Sequence, residues 1–215
     1  RRGGGVRPDA ARASSRAATP NREVAVITAI VVLVVLALVF GYAVLLYNNL
    51  VALKHRIGQA WSNIGVLLKQ RNSELPKLVE TCRQYMSYEQ EALQRIVQAR
   101  ALAVSAHERG DVGGVGRSET EIRQGLSRLF ALAENYPELK ASEAFRQLQA
   151  RISSLEDAIA DRRELYNEAV NQHNTRIEQF PDVLLARRFG FKPAELLQFS
   201  AAETADVDVK SLFAG

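Results

Sequence analysis

The chain has 215 residues, of which 47% are hydrophobic and 24% are charged, a composition typical of a folded protein. The formal net charge of +4 arises entirely from residues 1–46, which hold six arginines and two acidic residues, whereas residues 47–215 carry 22 basic and 22 acidic side chains. Because this larger part has no net positive charge, we expect no nucleic-acid binding.

The single cysteine, Cys82, excludes an intrachain disulfide and a zinc site of paired cysteines, and we expect it to be a packing residue.

Residues 1–23 contain arginine, glycine, serine and proline without regularly spaced apolar residues. Such a segment cannot bury enough apolar surface to fold, so we expect a disordered basic tail at residues 1–23. Its arginines suit contact with anionic lipid headgroups.

Residues 24–46 form an uncharged stretch in which most side chains are Val, Ile, Leu or Phe. As a helix this stretch would be about 34 Å long, against about 30 Å for the hydrocarbon core of a bilayer. The alternatives are a buried helix of a soluble protein and a cleaved signal peptide. A signal peptide has a shorter apolar region, of about 7–15 residues, that ends at a small-residue cleavage site. This stretch ends in Val44, Leu45 and Leu46, so the sequence predicts a stable transmembrane helix.

The distribution of Lys and Arg predicts the orientation of this helix. Residues 7–23 hold four arginines, whereas residues 47–66 contain only Lys54 and Arg56. The more basic side of a membrane helix stays in the cytoplasm. We therefore expect a cytoplasmic amino terminus at the inner membrane of a bacterium, with the following domain on the outer, periplasmic side.

Beyond residue 46 the apolar residues recur at alternating steps of three and four, which is typical of an amphipathic helix. The first stripe comprises Leu50, Leu53, Ile57, Ala60, Ile64 and Leu67. Asn72 and Ser73 are candidate N-caps, and Pro76 is suited to a first helical turn. We therefore expect a second, long helix to begin there. Glu89 and Arg100 interrupt its apolar stripe, which makes both of them candidate polar core positions.

Four glycines within residues 110–116 predict a flexible loop after this second helix. A phosphate-binding loop would follow a strand and have the spacing G-x-G-x-x-G, and neither condition holds. Ser118 and Glu121 match a capping box that would start a third helix, and Pro137 would end that helix.

Ser142 can cap a long fourth helix that Pro181 would close. Its apolar stripe includes two polar residues in phase, Arg162 and His173, which are further candidate polar core positions. Phe189 and Phe191 flank Gly190 after this helix, and they either pack back on the helices or form an exposed docking peptide, with packing favoured.

The pattern as a whole predicts an all-α fold. An amino-terminal transmembrane helix continues into an elongated antiparallel four-helix bundle at residues 47–192, and a partly disordered tail follows at 193–215.

Several segments together resemble the LemA family, a family of bacterial single-pass membrane proteins. They are residues 47–51 (YNNLV), 71–80 (RNSELPKLVE), 134–141 (ENYPELKA), 145–149 (FRQLQ), 166–170 (YNEAV) with Asn174, 180–181 (FP) and 189–192 (FGFK). The resemblance extends over residues 24–200 and implies an amino-terminal anchor and a bundle of long helices. It implies no catalytic residues.

The sequence offers no nucleophile, base and orienting group in a recognisable arrangement, so we expect no enzyme. The three histidines are scattered, and we expect no metal, no cofactor and no small-molecule substrate.

We expect a non-enzymatic scaffold or adaptor of the cell envelope that contacts the lipid bilayer and an envelope protein. The alternatives are a structural protein that assembles with copies of itself and a bundle secreted after signal-peptide cleavage.

Overall fold

The computed structural model describes residues 19–199, with side chains described for residues 22–199. Residues 1–18 of the predicted disordered tail lie outside the described residues, whereas residues 19–23 belong to a helix. The part of the carboxyl-terminal tail beyond residue 199 also lies outside the described residues. The helices are α1 (Thr19–Arg83), α2 (Gln90–Glu108), α3 (Val112–Ala133), α4 (Pro137–Ala141), α5 (Glu143–Glu178) and α6 (Asp182–Phe189). Residues 19–199 contain no strand, which confirms the all-α prediction.

The chain divides into two compact units, Arg1–Asn49 and Leu50–Gly215, and α1 contributes residues to both. In the described part of the first unit nearly all the apolar side chains are exposed. Within residues 19–199, α1 is the one helix long and apolar enough to cross a membrane. An apolar helix surface of this length is stable in lipid, because lipid does not compete for the backbone hydrogen bonds.

The second unit is an antiparallel four-helix bundle made of α1 from Leu50 onward, α2, α3 and α5, with α4 and α6 as short additions. Buried side chains recur at steps of three and four along these helices, so each helix turns one apolar stripe toward a shared core. One core cluster joins α1, α2, α3, α4 and α5, and it includes Cys82, which is fully buried as expected. A second cluster lies around Ile64 and Tyr166, and a third around Leu50.

The prediction that a second helix begins at Asn72 and Ser73 is wrong. Helix α1 passes through both residues and through Pro76, and the break comes at residues 84–89. A proline inside a helix removes the hydrogen bond from its own nitrogen to the carbonyl four residues earlier, here that of Asn72. The Arg100 side chain on α2 supplies a substitute, because its Nε donates to the Asn72 carbonyl oxygen at 2.7 Å. A tertiary contact therefore offsets the local signal for a helix start.

The prediction of a flexible loop over residues 110–116 is also wrong, as is that of a helix start at Ser118. Helix α3 begins at Val112, and the Asp111 side chain caps it by accepting a hydrogen bond from the backbone N–H of Gly114 at 2.7 Å. The turn is short and contains Gly110, whose φ of 67° lies in the left-handed region. At the start of α5, Ser142 accepts from the backbone N–H of Phe145 at 3.5 Å, as the sequence predicted.

Helix α6, which the sequence did not predict, ends at Gly190, whose φ of 71° turns the chain back. Residues 191–199 then follow α5 without forming a helix or strand. We call this segment the strap. The sequence predicts that residues 193–199 belong to the carboxyl-terminal tail, but Leu197 and Phe199 are buried in the second core cluster. The packed domain therefore extends further along the chain than residue 192.

Candidate functional site: a buried charge network and an asparagine clamp

Arg71 lies in the bundle interior with none of its surface exposed. Its Nη2 donates to Glu119 Oε1 on α3 and its Nη1 to Glu156 Oε1 on α5, each at 2.6 Å. Arg123 Nε lies 3.7 Å from the other oxygen of Glu156. Two cations and two anions therefore balance within one layer.

The electrostatics of this network favour a permanently charged arginine. Burial alone would lower the pKa of Arg71, but the carboxylates of Glu119 and Glu156 outweigh that effect and raise the pKa. On α1, Arg71 separates Leu68 of the second core cluster from Leu75 of the first. Because only one alignment of α1, α3 and α5 pairs all these charges, the layer can fix the register of the bundle.

The sequence reading missed this network, although the spacing contains it. Arg71 continues the stripe of Ile64 and Leu68 at a step of three, and Leu75 follows at a step of four. The assumed helix start at Asn72 interrupted that pattern. Glu119 is likewise in phase with Ile122 on α3, but the assumed start at Ser118 placed it at a helix end. A continuous helix would have exposed both positions as in-phase charges.

The structure does not bring the four candidate polar core positions into one cleft. Glu89 is half-buried at the N-cap of α2, and Arg100 bonds to the backbone of α1. Arg162 is exposed, so its place in the apolar stripe did not bury it. His173 is buried near the carboxyl end of α5, where its Nε2 lies 3.1 Å from the Lys192 carbonyl oxygen.

Two asparagines of α5 hold the strap by its main chain. Asn174 donates to the carbonyl oxygen of Ala194 at 2.9 Å and accepts from its N–H at 2.8 Å. Asn167 makes the same pair with Leu197, at 3.1 Å and 2.8 Å. The asparagines are two helical turns apart and therefore share one face of α5. We call this pair the asparagine clamp.

Two further side chains of α5 bond to the strap. The Tyr166 hydroxyl donates to the Glu195 carbonyl oxygen at 2.9 Å, and burial together with the negative charge of Glu195 raises the pKa of Tyr166. The His173 Nε2 faces a carbonyl, which can only accept, so Nε2 carries the proton. The other ring nitrogen, Nδ1, is buried and has no protein hydrogen-bond partner.

The glycines at the start of α3 form the floor under the strap. A Cβ on Gly116 would overlap the main-chain carbonyl oxygen of Gln198, and one on Gly113 would lie 2.9 Å from Glu195 Oε1. The glycines read as a flexible loop therefore permit close approach of a second backbone. The strap ends with buried Phe199, whose ring centroid lies 4.5 Å from the Cζ of Arg163.

The aromatics that flank Gly190 have different surroundings. Phe191 is half-buried against the third core cluster, with its ring centroid 6.4 Å from that of His173. Phe189 is 56% exposed. The preferred expectation, that both rings pack on the helices, thus matches the position of Phe191 more closely than that of Phe189.

The groups at this site make hydrogen bonds and ion pairs to one another and to the strap. Among residues 22–199 no group of three or more His, Cys, Asp or Glu side chains is arranged to hold a metal ion. Burial raises the pKa of the Cys82 thiol to about 12, which suppresses its nucleophilic form. What the site does offer is recognition of an extended main chain.

Comparison with known proteins confirms the resemblance noted in the sequence. The LemA family model matches residues 60–211, which is most of the chain. The chain belongs to the LemA family. The matched residues include the Arg71 network, the asparagine clamp and the strap. Neither the family description nor the names of the relatives below denote an enzyme, and the apolar α1 agrees with a membrane protein.

Two relatives illustrate the range of the LemA family. The chain is 28% identical to magnetosome protein MamQ 2 of Paramagnetospirillum magneticum, over 86% of this chain and 77% of that protein. It is 29% identical to protein LemA of Metamycoplasma hominis, over 77% of this chain and 74% of that protein.

Proposed function

We propose that this LemA family member is a non-enzymatic, membrane-anchored scaffold or adaptor of the bacterial cell envelope that acts through protein–protein contacts. The observation that carries the proposal is an open groove of about 440 Å³ between the outward faces of α2 and α3. The partner we propose is another envelope protein.

The groove combines apolar and charged groups. It is lined by Ala92, Arg95, Gln98, Leu102, Glu121, Gln124, Gly125 and Arg128. Leu102 is 58% exposed, and Val97 on the same helix is also exposed. A lining that mixes apolar side chains with arginines is a common composition of protein interfaces. A Cβ on Gly125 would lie 3.0 Å from Cγ1 of buried Ile96, so this glycine allows α2 and α3 to approach closely beneath the groove.

The orientation is part of the proposal. The excess of arginine before residue 24 supports a cytoplasmic amino terminus, so that the bundle lies on the outer side of the membrane. Protease treatment of cells with a permeabilised outer layer tests this. We expect digestion of the bundle while the inner membrane is intact; digestion only after inner-membrane disruption would contradict the orientation.

Photo-crosslinking in native membranes tests the groove directly. A benzophenone amino acid replaces Leu102 in the full chain, and a matched variant carries it at Leu165 on α5, which is 49% exposed. We expect a defined adduct with another envelope protein from position 102 and a weaker one or none from position 165. Equal adducts from both positions would overturn the α2/α3 surface, and adducts consisting only of copies of this chain would overturn the adaptor role.

Self-assembly is the second candidate, and the strap favours it. A segment held by side-chain hydrogen bonds to its main chain and by a few buried apolar side chains can be delivered by another copy of the same chain, as in domain swapping. We replace Asn174 and Ala194 with cysteine in a Cys82→Ala chain and oxidise it in membranes, with Gln172→Cys and Ala194→Cys as the control pair. Disulfide-linked dimers specific to the first pair support exchange. Intrachain disulfides alone would rule it out.

A further inference from the structure

We infer that the exposed face of α6, together with the basic residues around it, docks on an anionic phospholipid surface. Phe180 is 79% exposed and Leu184 is 60% exposed, which is unusual for large apolar side chains in a packed domain. Arg187 and Arg188 follow Leu184 at steps of three and four, so they lie on the same helix face and are also exposed. Apolar and basic groups on one face are typical of helices that lie in the membrane interface.

The buried side of α6 determines where this face lies within the second unit. Ala186 and Leu185 pack with Leu50, the first residue of that unit. Leu50 follows Leu46, the last residue of the apolar stretch, by four positions. Even a fully extended chain of that length spans at most about 14 Å. The α6 end of the bundle is therefore confined to the neighbourhood of the bilayer surface.

The charges at this end complement an anionic surface. Lys54, Arg56 and Lys192 are exposed alongside the two arginines of α6. Residues 47–59 contain no acidic side chain. On the buried side of α6, Asp182 is paired with Arg176 at 3.1 Å, which leaves Glu178 as an exposed acidic residue beside five exposed basic ones. Each basic residue near such a surface raises the equilibrium constant for docking by about fivefold.

The test uses the full chain in lipid nanodiscs with an environment-sensitive fluorophore. Cys82 is replaced by Ala, and a single cysteine carries the fluorophore at Leu184 or at Leu102, whose exposure is nearly the same. Spin-labelled lipids in the nanodisc quench a fluorophore that touches lipid but not one that touches protein. We expect strong quenching at position 184 in discs with anionic lipid, weaker quenching in zwitterionic discs, and little at position 102 in either.

A charge-neutral variant tests the basic residues without changing the apolar ones. Arg187→Gln with Arg188→Gln should lower the docked-to-undocked ratio at position 184 by at least about fivefold in anionic discs. High salt should have the same effect, because it screens exposed charges. Equal quenching at positions 184 and 102 would overturn the inference. So would quenching at position 184 that stays the same when the lipid charge is changed and when the two arginines are replaced.

Discussion

The guanidinium Nε of Arg100 donates to the main-chain carbonyl oxygen of Asn72 at 2.7 Å. That carbonyl is the acceptor that Pro76 leaves without its helical donor, since proline has no N–H. A side chain of α2 thus completes the backbone bonding of α1, and a proline that would favour a helix boundary is accommodated within a helix.

This relationship predicts coupling between Arg100 and Pro76. Arg100→Met should lower the free energy of unfolding by about 1–3 kcal/mol, because a carbonyl within the bundle loses its donor. In a Pro76→Ala chain the restored N–H supplies that donor, so the same substitution should cost less. Denaturant titration of the full chain in detergent gives the double-mutant cycle. Additive effects of the two substitutions would contradict the coupling.

The Arg71 network predicts a large cost when one partner is removed. Arg71→Met leaves Glu119 buried without its cation and should destabilise the bundle by about 3–5 kcal/mol. Adding Glu119→Leu should recover much of that loss, since an apolar pair replaces an unpaired charge. Arg83→Met is the control, because Arg83 and Glu80 form a pair that is exposed on both sides, and its loss should change stability by about 1 kcal/mol or less. If Arg71→Met matched this control in denaturant titrations, the network would be structurally unimportant.

The contact between Gly116 and the strap predicts that an alanine there destabilises the structure, whereas an alanine at a glycine with free space around it stabilises its helix. Gly116→Ala places a Cβ on the Gln198 carbonyl oxygen and should displace the strap, so that hydrogen exchange at residues 194–198 accelerates. Gly58→Ala in α1 meets no atom within 4 Å and should stabilise the helix by about 0.5–1 kcal/mol. Unchanged exchange in the Gly116 variant would show that the strap is not held against α3.

Burial of Cys82 predicts a thiol that reacts only on unfolding. With the pKa raised from 9.0 to about 12, about one thiol in ten thousand is ionised at pH 8, against about one in ten when unburied. Below pH 9 the thiol is neutral in both the folded and the unfolded state; as the pH rises from 9 toward 12 the free energy of unfolding falls, because only the unfolded thiol ionises. Maleimide labelling followed by mass spectrometry should be slow in the native chain, whereas a cysteine introduced at exposed Val66 should react quickly. Rapid native labelling of Cys82 would contradict its burial.

Local periodicity was sufficient to predict the helical class of this protein. The uncharged stretch at 24–46 and the alternating steps of three and four indicate an apolar helix and an amphipathic bundle, because side-chain direction in a helix follows directly from sequence spacing. The cap at Ser142 was predictable for a similar reason, since its hydrogen bond to Phe145 joins residues within one helical turn.

Contacts between residues distant in sequence decided the rest. Pro76 remains within α1 because Arg100, on a different helix, donates a hydrogen bond to the Asn72 carbonyl, which proline leaves without its helical donor. Gly113 and Gly116 lie in helix α3 and not in a loop. Their lack of side chains is explained by the strap, which comes from a much later part of the chain and lies against them. Asn167 and Asn174 gain their role only when residues 191–199 return along α5. Sequence spacing therefore determined which face of each helix is apolar, and only the tertiary structure decided which polar groups those faces enclose, because their partners are brought together by folding.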